Sequence, residues 1–309
     1  MNLTENDFIP YRCFNHNDRH LTVLGMHLKE FNQSVLQFKM NGINLVDLDI
    51  HSGHRTFAIN APINRTMVRH NDSQIFQYKI DRCNFRMECS NYYDKRKDEL
   101  NLCVYTRRKL EVIQPFLNFY QVFADRIFVY NNERKHAETF HPLESHPKQF
   151  KVIPWYLDEL RDLNISSSVY DELVAHNYRN YSRDAQKVQT NDCMYKNRNT
   201  NMVLMVDDDE YLNFLNRNFY RQIYEEVKDD YDDIVMYRNF CNTTIVAETR
   251  LSAVFAKSSA QCPMDKRPRL EKAFVLPKNC RLYEIHRCTS KNSYSLRHLN
   301  IYLAHASYR

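Results

Sequence analysis

The sequence predicts an α/β fold: a mostly parallel sheet flanked by helices, preceded by a smaller β-rich region. Three observations predict it. Residues 1 to about 97 carry short alternating apolar runs, and from residue 98 apolar strands alternate with helical periodicity. A charged stretch, "YYDKRKDE" (92–99), separates the two patterns. The expected division is therefore a β-rich accessory region over 1–97 and a larger α/β domain over 98–309. A chain of 309 residues, 43% hydrophobic and 26% charged, can bury a core of that size.

The elements follow in order. "LTVLGMHL", "VLQFKM", "INLVDLDI", "RTFAINA" and "QIFQYKI" read as strands broken by Asn, Gly and Pro, in the manner of a small sandwich. "LNLCVY" (100–105) is a strand. "PFLNFYQVFA" (115–124) spaces Phe116, Phe119, Tyr120 and Phe123 as a helix, with Pro115 suited to its first turn. Strands "RIFVYN" (126–131) and "FKVIPW" (150–155) come next, then a helix over about 181–197. The strand "NMVLMV" (201–206), the helix "NFYRQIYEEVKDD" and the strand "DIVMYRNF" complete the pattern. Alternation of this kind implies a parallel sheet covered by helices, with ligands beyond the carboxyl ends of its strands.

That edge is where the chemistry concentrates. The strand at 201–206 runs into Asp207, Asp208, Asp209 and Glu210. Stacked carboxylates repel and are costly to desolvate unless something positive sits among them. A solvated acidic turn is the ordinary explanation, but the apolar strand before it and Tyr211 and Leu212 after it make a site an equal one. Asp207 and Asp209, two apart on a turn, can converge on one hard cation. Mg²⁺ or Mn²⁺ takes one or two carboxylates and completes its shell with phosphate oxygens and water.

Two further groups are candidates. On the expected helix, Tyr181, Ala185, Val188, Asp192 and Tyr195 share a stripe, so Asp192 is either partnered in the core or reaching into a pocket. In "EKAFVLPKNCRLYEIHRC" (271–288), Lys272 and Arg281 could neutralise a diphosphate and His286 could be a metal ligand, with His305 as its rival. Trp155 could stack on a ring or fill core.

Composition excludes several classes. The three glycines are Gly25, Gly42 and Gly53, so most of the chain has no room for a Walker loop or a GxGxxG loop. A net charge of +5 suits a phosphate-bearing small ligand and is too weak to argue for nucleic acid. No run approaches the roughly 20 apolar residues of a membrane span, and "MNLTENDFIPYRC" has no signal-peptide core. Nine cysteines and the sequons at Asn2, Asn32, Asn64, Asn71, Asn164, Asn180 and Asn242 point instead to a luminal or extracellular domain whose anchor lies outside this chain.

Set in order, these pieces resemble glycosyltransferase family 92. The resemblance runs over about residues 99–309. It rests on Cys103, "VYN" ending at Asn131, "IPW" ending at Trp155, "QKVQTNDC" from Gln186 to Cys193, "DDDEYL" from Asp207, "KAFVLP" from Lys272, and "EIH" ending at His286. Gln189, Phe123, Asp208 and the terminal "AHASYR" depart from the family's pattern. Membership would imply the nucleotide-sugar-binding GT-A fold and a Golgi or secretory-pathway enzyme held by a single-pass anchor. Such an enzyme transfers galactose from UDP-galactose, with inversion, to a glycan acceptor.

On that resemblance Asp209 binds Mn²⁺, Asp207 holds the ribose or a metal-bound water, and His286 or His305 is a third ligand. Tyr130, Asn131, Trp155, Gln186, Asn191, Asp192, Asp207, Asp208 and Lys272 belong to the donor site. An inverting transfer needs a carboxylate base, for which Glu248, Asp265 and Glu271 are equal candidates. Two alternatives come from other classes: a DxD metal-dependent phosphohydrolase, and a carbohydrate-binding relative without turnover.

Overall fold

The structure is a computed structural model that describes residues 8–16, 20–27, 36–40, 42–45, 47–52, 56–62, 74–80, 83–89, 97–155, 186–245, 271–284, 286–290, 292–299 and 301–308. The chain forms two compact units, Met1–Lys95 with Leu157–Lys196, and Arg96–Tyr156 with Asn197–Arg309.

The first unit is β-rich. Its strands are β1 (Phe8–His16), β2 (His20–His27), β3 (Leu36–Met40), β4 (Ile43–Asn44), β5 (Asp49–Ser52), β6 (Thr56–Pro62), β7 (Gln74–Ile80) and β8 (Cys83–Cys89). They pair antiparallel in two four-stranded sheets, ordered β1-β2-β6-β5 and β4-β3-β7-β8. Val23, Leu24, Phe57 and Ile59 are buried from two adjacent strands of the first sheet. The turn into β4 places Gly42 at φ 86°, a left-handed conformation that glycine adopts without penalty. The run 43–50, expected as one strand, is interrupted by Asp47 at φ 54° and divides between β4 and β5. The unit also holds a helix over 186–196, part of the helix expected over 181–197.

The second unit carries the large sheet. Its strands are β9 (Leu100–Thr106), β10 (Arg126–Asn131), β11 (Phe150–Pro154), β12 (Met202–Asp207), β13 (Glu210–Leu212), β14 (Asp233–Ile245), β15 (Glu271–Val275), β16 (Tyr283–Glu284), β17 (Arg287–Cys288), β18 (Ser293–Ser295) and β19 (Tyr302–Tyr308). The order is β11-β10-β9-β12-β15-β14-β19-β13, with β18 also beside β14 and β16-β17 a separate hairpin. From β11 to β12 the joins are parallel, and β9, β10 and the apolar part of β12 are buried throughout, as expected for strands covered on both faces.

Beyond β12 the expected parallel pattern holds only in part: β14 pairs parallel with β18 and β19, but the other joins are antiparallel. β15 enters antiparallel between β12 and β14, and β13 pairs antiparallel with β19. The sheet is mixed. Alternating helical and strand periodicity gives no sign of it, because β15 comes 25 residues after β14 ends and reverses direction to fill the gap beside β12.

Helices Leu110–Tyr120 and Arg217–Val227 bury Leu110, Ile113, Phe116, Leu117 and Tyr120 from one and Tyr220, Ile223, Tyr224 and Val227 from the other in the same apolar core. The first begins five residues earlier than its sequence suggests, leaving Pro115 in its interior instead of its first turn. The start is set from a distance. The Leu110 N–H donates to the Thr139 hydroxyl at 3.1 Å, a partner 29 residues away that replaces a local cap. Asn216 caps the second helix conventionally, accepting from the Phe219 N–H at 3.1 Å. Among the described residues no helix is long and apolar enough to cross a membrane.

Candidate functional site

Parallel pairing gathers the carboxyl ends of β9, β10, β11 and β12 on one edge. Thr106 stands opposite Asn131, Asn131 opposite Pro154, and Asp207 opposite Tyr105. Because β15 is antiparallel, its first residues, Glu271 and Lys272, arrive at the same edge. Asp207 ends β12 and Glu210 begins β13, so the acid run is the turn between these strands.

Within the turn, exposure alternates. Asp207 and Asp209 are partly exposed, whereas Asp208 and Glu210 are buried. The buried pair is tied down. The Thr106 hydroxyl donates to Asp208 Oδ2 at 2.6 Å, and the Arg108 guanidinium lies 3.5 Å from Asp208 and 3.8 Å from Asp209. Glu210 Oε1 accepts from Arg238 at 2.9 Å. Its Oε2 accepts from the Asp207 N–H at 2.9 Å and lies 3.2 Å from Lys272 Nζ. The Lys272 ammonium also donates to Asp207 Oδ2 at 2.9 Å. Beneath the turn, the buried Tyr120 hydroxyl donates to the Glu210 carbonyl at 3.0 Å and accepts from the Leu212 N–H at 2.9 Å. Four carboxylates thus meet three cations, which is what permits so many acids at a buried strand end.

The cations set the charge states. Burial opposes ionisation of Asp207, but Lys272, with Arg238 and His286 beyond it, holds the carboxyl below its usual range. Burial pushes Asp208 up to about 6, against the Thr106 hydrogen bond and Arg108, with Asp209 and Asp207 reinforcing the rise. Burial also raises Glu210, opposed by Lys272 and Arg238. Lys272 itself is raised, since Asp207 and Glu210 outweigh its own burial.

His286 completes the surroundings. Burial, then Lys272 and Arg238, lower its pKa to about 4, against Asp207 and a hydrogen bond to the Glu271 backbone. The imidazole is therefore neutral at pH 7, and its Nδ1 is buried with no hydrogen-bond partner. A neutral ring nitrogen with a free lone pair is a metal donor or a proton acceptor.

The residues fit a hard divalent cation of the kind completed by substrate oxygens. Asp207 and Asp209 offer partly exposed carboxylates, and His286, near enough to Asp207 for their charges to interact, has a buried Nδ1 without a hydrogen-bond partner. Among the described residues no group of three or more His, Cys, Asp or Glu side chains is gathered for a metal, so Asp207, Asp209 and His286 are not a preassembled three-ligand site.

The other expected site residues are placed as follows. Tyr130 and Trp155 are buried against one another, ring centroids 5.6 Å apart. Asn131 is buried, its Oδ1 accepting from the Glu133 N–H at 3.1 Å. Glu271 is the half-buried first residue of β15, and Lys272 is committed to Asp207 and Glu210. His305 stands opposite Glu210 in β13 and Phe240 in β14. Gln186, Asn191 and Asp192 lie on the 186–196 helix of the other unit. There Asn191 donates to the Lys187 carbonyl at 2.8 Å, and Asp192 is fully buried in an ion pair with Lys196. Glu248 and Asp265 lie outside the described residues.

Reading the sequence missed Thr106, Arg108, Tyr120, Arg238 and the pinning of Glu210. A signal existed for the first two. "TRR" at 106–108 follows β9 as "DDD" follows β12, and in a parallel pair those segments emerge side by side. No protein-family model matches the chain, and a search of curated proteins found no match to it.

Proposed function

We propose that this protein is a metal-dependent inverting glycosyltransferase of the GT-A kind, which transfers galactose from UDP-galactose to a glycan acceptor. The observation that carries the reading is the alternation in the acid turn. Asp207 and Asp209 are left partly open at the carboxyl edge, while Asp208 and Glu210 are buried as their supports. The nucleotide, the sugar and the inversion rest on the resemblance described above.

In this reading Asp207 and Asp209 hold Mn²⁺ or Mg²⁺, with His286 as the nitrogen donor. The cation supplies Lewis-acid neutralisation of the departing UDP. Glu210 fixes the turn through the Asp207 N–H, and Lys272 orients the Asp207 carboxylate. Thr106 and Arg108 fix Asp208 and so place Asp209. Of the three base candidates, Glu271 is the one on the described edge, and it would take the acceptor hydroxyl's proton. The disulfide Cys280–Cys288 supports an oxidising compartment such as the secretory lumen.

The test is calorimetry of UDP-galactose with Mn²⁺ and then with EDTA, for the wild type and Asp209→Ala. Metal-dependent binding should vanish in the variant while the fold persists, and unchanged affinity would overturn the assignment. A second reading, a UDP-sugar-binding relative without turnover, is favoured by one observation: Lys272 already occupies one oxygen of Asp207. Binding without transfer or hydrolysis would select it.

A further inference from the structure

The chain's positive charge is not spread along its length. Residues 278–309 hold Lys278, Arg281, Arg287, Lys291, Arg297 and Arg309 against one acid, Glu284, and so carry the whole net charge of +5. Among these cations the backbone of Arg297 is fixed to the large sheet. Leu296 is fully buried and its N–H donates to the Val235 carbonyl at 3.0 Å, while the Arg297 N–H donates to Ser295 Oγ at 3.3 Å. From there the exposed side chain lays its guanidinium over the Tyr237 ring, 4.9 Å from the centroid. Among the described residues it meets no carboxylate. A guanidinium seated over an aromatic ring keeps its in-plane N–H fork for a planar or tetrahedral anion.

Tyr237 belongs to a row. It stands opposite Glu271 of β15 on one side and Tyr302 of β19 on the other. Residues opposite one another on neighbouring strands share a face, so these three half-buried side chains line up across the sheet. Lys272 and Arg238, one residue along, take the other face and serve the acid turn. The row lies at the carboxyl edge: Leu204 pairs with Phe274, and that register continued by three residues sets Asp207 level with Glu271. One strand spacing and one ring stack put Glu271 on the order of 10 Å from the guanidinium, a span that one or two sugar rings fill.

We propose that the row Glu271–Tyr237–Tyr302 is the acceptor subsite, and that Arg297 selects glycan acceptors bearing an anionic group, a carboxylate or a sulfate ester. This rests on the transferase reading, with Glu271 as the base. Tyr237 and Tyr302 offer partly open aromatic surface to the apolar faces of sugar rings. The Arg297 fork holds the anion, and the hydroxyl to be glycosylated comes to Glu271.

The experiment uses the full chain, with UDP and Mn²⁺ present, and three oligosaccharides that differ only in the terminal ring: glucose, glucuronate and glucose 6-sulfate. Calorimetry reads binding, and turnover of UDP-galactose with each reads KM and kcat. At least one charged glycan should bind about 10–100-fold more tightly than the neutral one, the worth of a hydrogen bond to a charged group, and the ratio between the two tells carboxylate from sulfate. Arg297→Gln should abolish the preference, through KM and not kcat, and leave the affinity for the neutral glycan unchanged. Tyr237→Leu, which takes the ring from under the guanidinium, should reduce the preference although the charge remains. Equal binding of charged and neutral glycans, a preference that survives Arg297→Gln, or an Arg297→Gln loss shared equally by all three glycans would overturn the proposal. Failure of the transferase reading looks different: the charged glycan would be preferred, and no galactose would be transferred to any of the three.

Discussion

Lys272 Nζ lies 2.9 Å from Asp207 Oδ2 and 3.2 Å from Glu210 Oε2, so one ammonium spans both ends of the acid turn. The lysine is 4% exposed and Glu210 is fully buried. Removing one partner of such a pair strands the other's charge away from water. Lys272→Met should cost about 3–5 kcal/mol in urea denaturation. Lys272→Arg, which keeps the charge, should cost less. A loss under about 1 kcal/mol for the methionine variant would place the pair among surface ion pairs of little weight.

Tyr120 holds the turn from below without any charge. Tyr120→Phe keeps the ring in the core and removes only the hydroxyl that serves the Glu210 carbonyl and the Leu212 N–H. Each buried backbone group left unsatisfied costs about 1–3 kcal/mol, so the variant should be destabilised by at least that much. Amide exchange at Leu212 should accelerate in step. Unchanged exchange would mean another partner takes up the N–H.

Asp233 gives a pH dependence with a definite sign. Burial pushes its pKa up to about 6 from an ordinary 3.8. Above pH 6 both states are ionised and the folded state bears the full cost. As pH falls through 6 the folded protein takes up a proton that the unfolded chain does not, and the cost is gone below about 3.8. The Asp233→Asn variant lacks this relief. Its stability relative to the wild type should fall by about 2.4 kcal/mol between pH 7 and pH 4, taking 1.36 kcal/mol per pKa unit. Taking the difference between the two proteins removes the opposing contribution of His286, whose lowered pKa costs stability as pH falls below 6.5. Parallel pH profiles would sink the idea.

Asn216→Ala tests whether the helix Arg217–Val227 depends on its cap. The exposed Asn216 side chain satisfies the Phe219 N–H, and its loss should cost about 1 kcal/mol. Aspartate at this position should restore most of it. Since Asn216 touches none of the acid-turn residues described, Mn²⁺ affinity should stay unchanged.

Local pattern made part of this legible. Met202 to Val206 are buried without interruption, and a fully apolar strand ending in acids announced both the strand and the acid turn that ends it. The helix Arg217–Val227 was equally plain from its spacing. What stayed hidden depends on partners remote in sequence. Lys272 is 65 residues from Asp207, Arg238 is 28 from Glu210, and Tyr120 is 90 from the carbonyl it serves. Periodicity reports which face of an element is buried, not which distant side chain meets it there. The insertion of β15 between β12 and β14 escaped for the same reason, as did the start of the helix Leu110–Tyr120, since Thr139 sets it from outside.

The left-handed positions among the described residues are Gly42 and Asp47, both in the first unit. Asp207 to Glu210 therefore reverse the chain with backbone angles that any L-residue can adopt. Backbone strain does not restrict these four positions; charge does, together with packing at the buried Asp208 and Glu210. A scan of the partly exposed Asp207 and Asp209, leaving out proline, would therefore read out electrostatics and ligand contact with little interference from backbone strain.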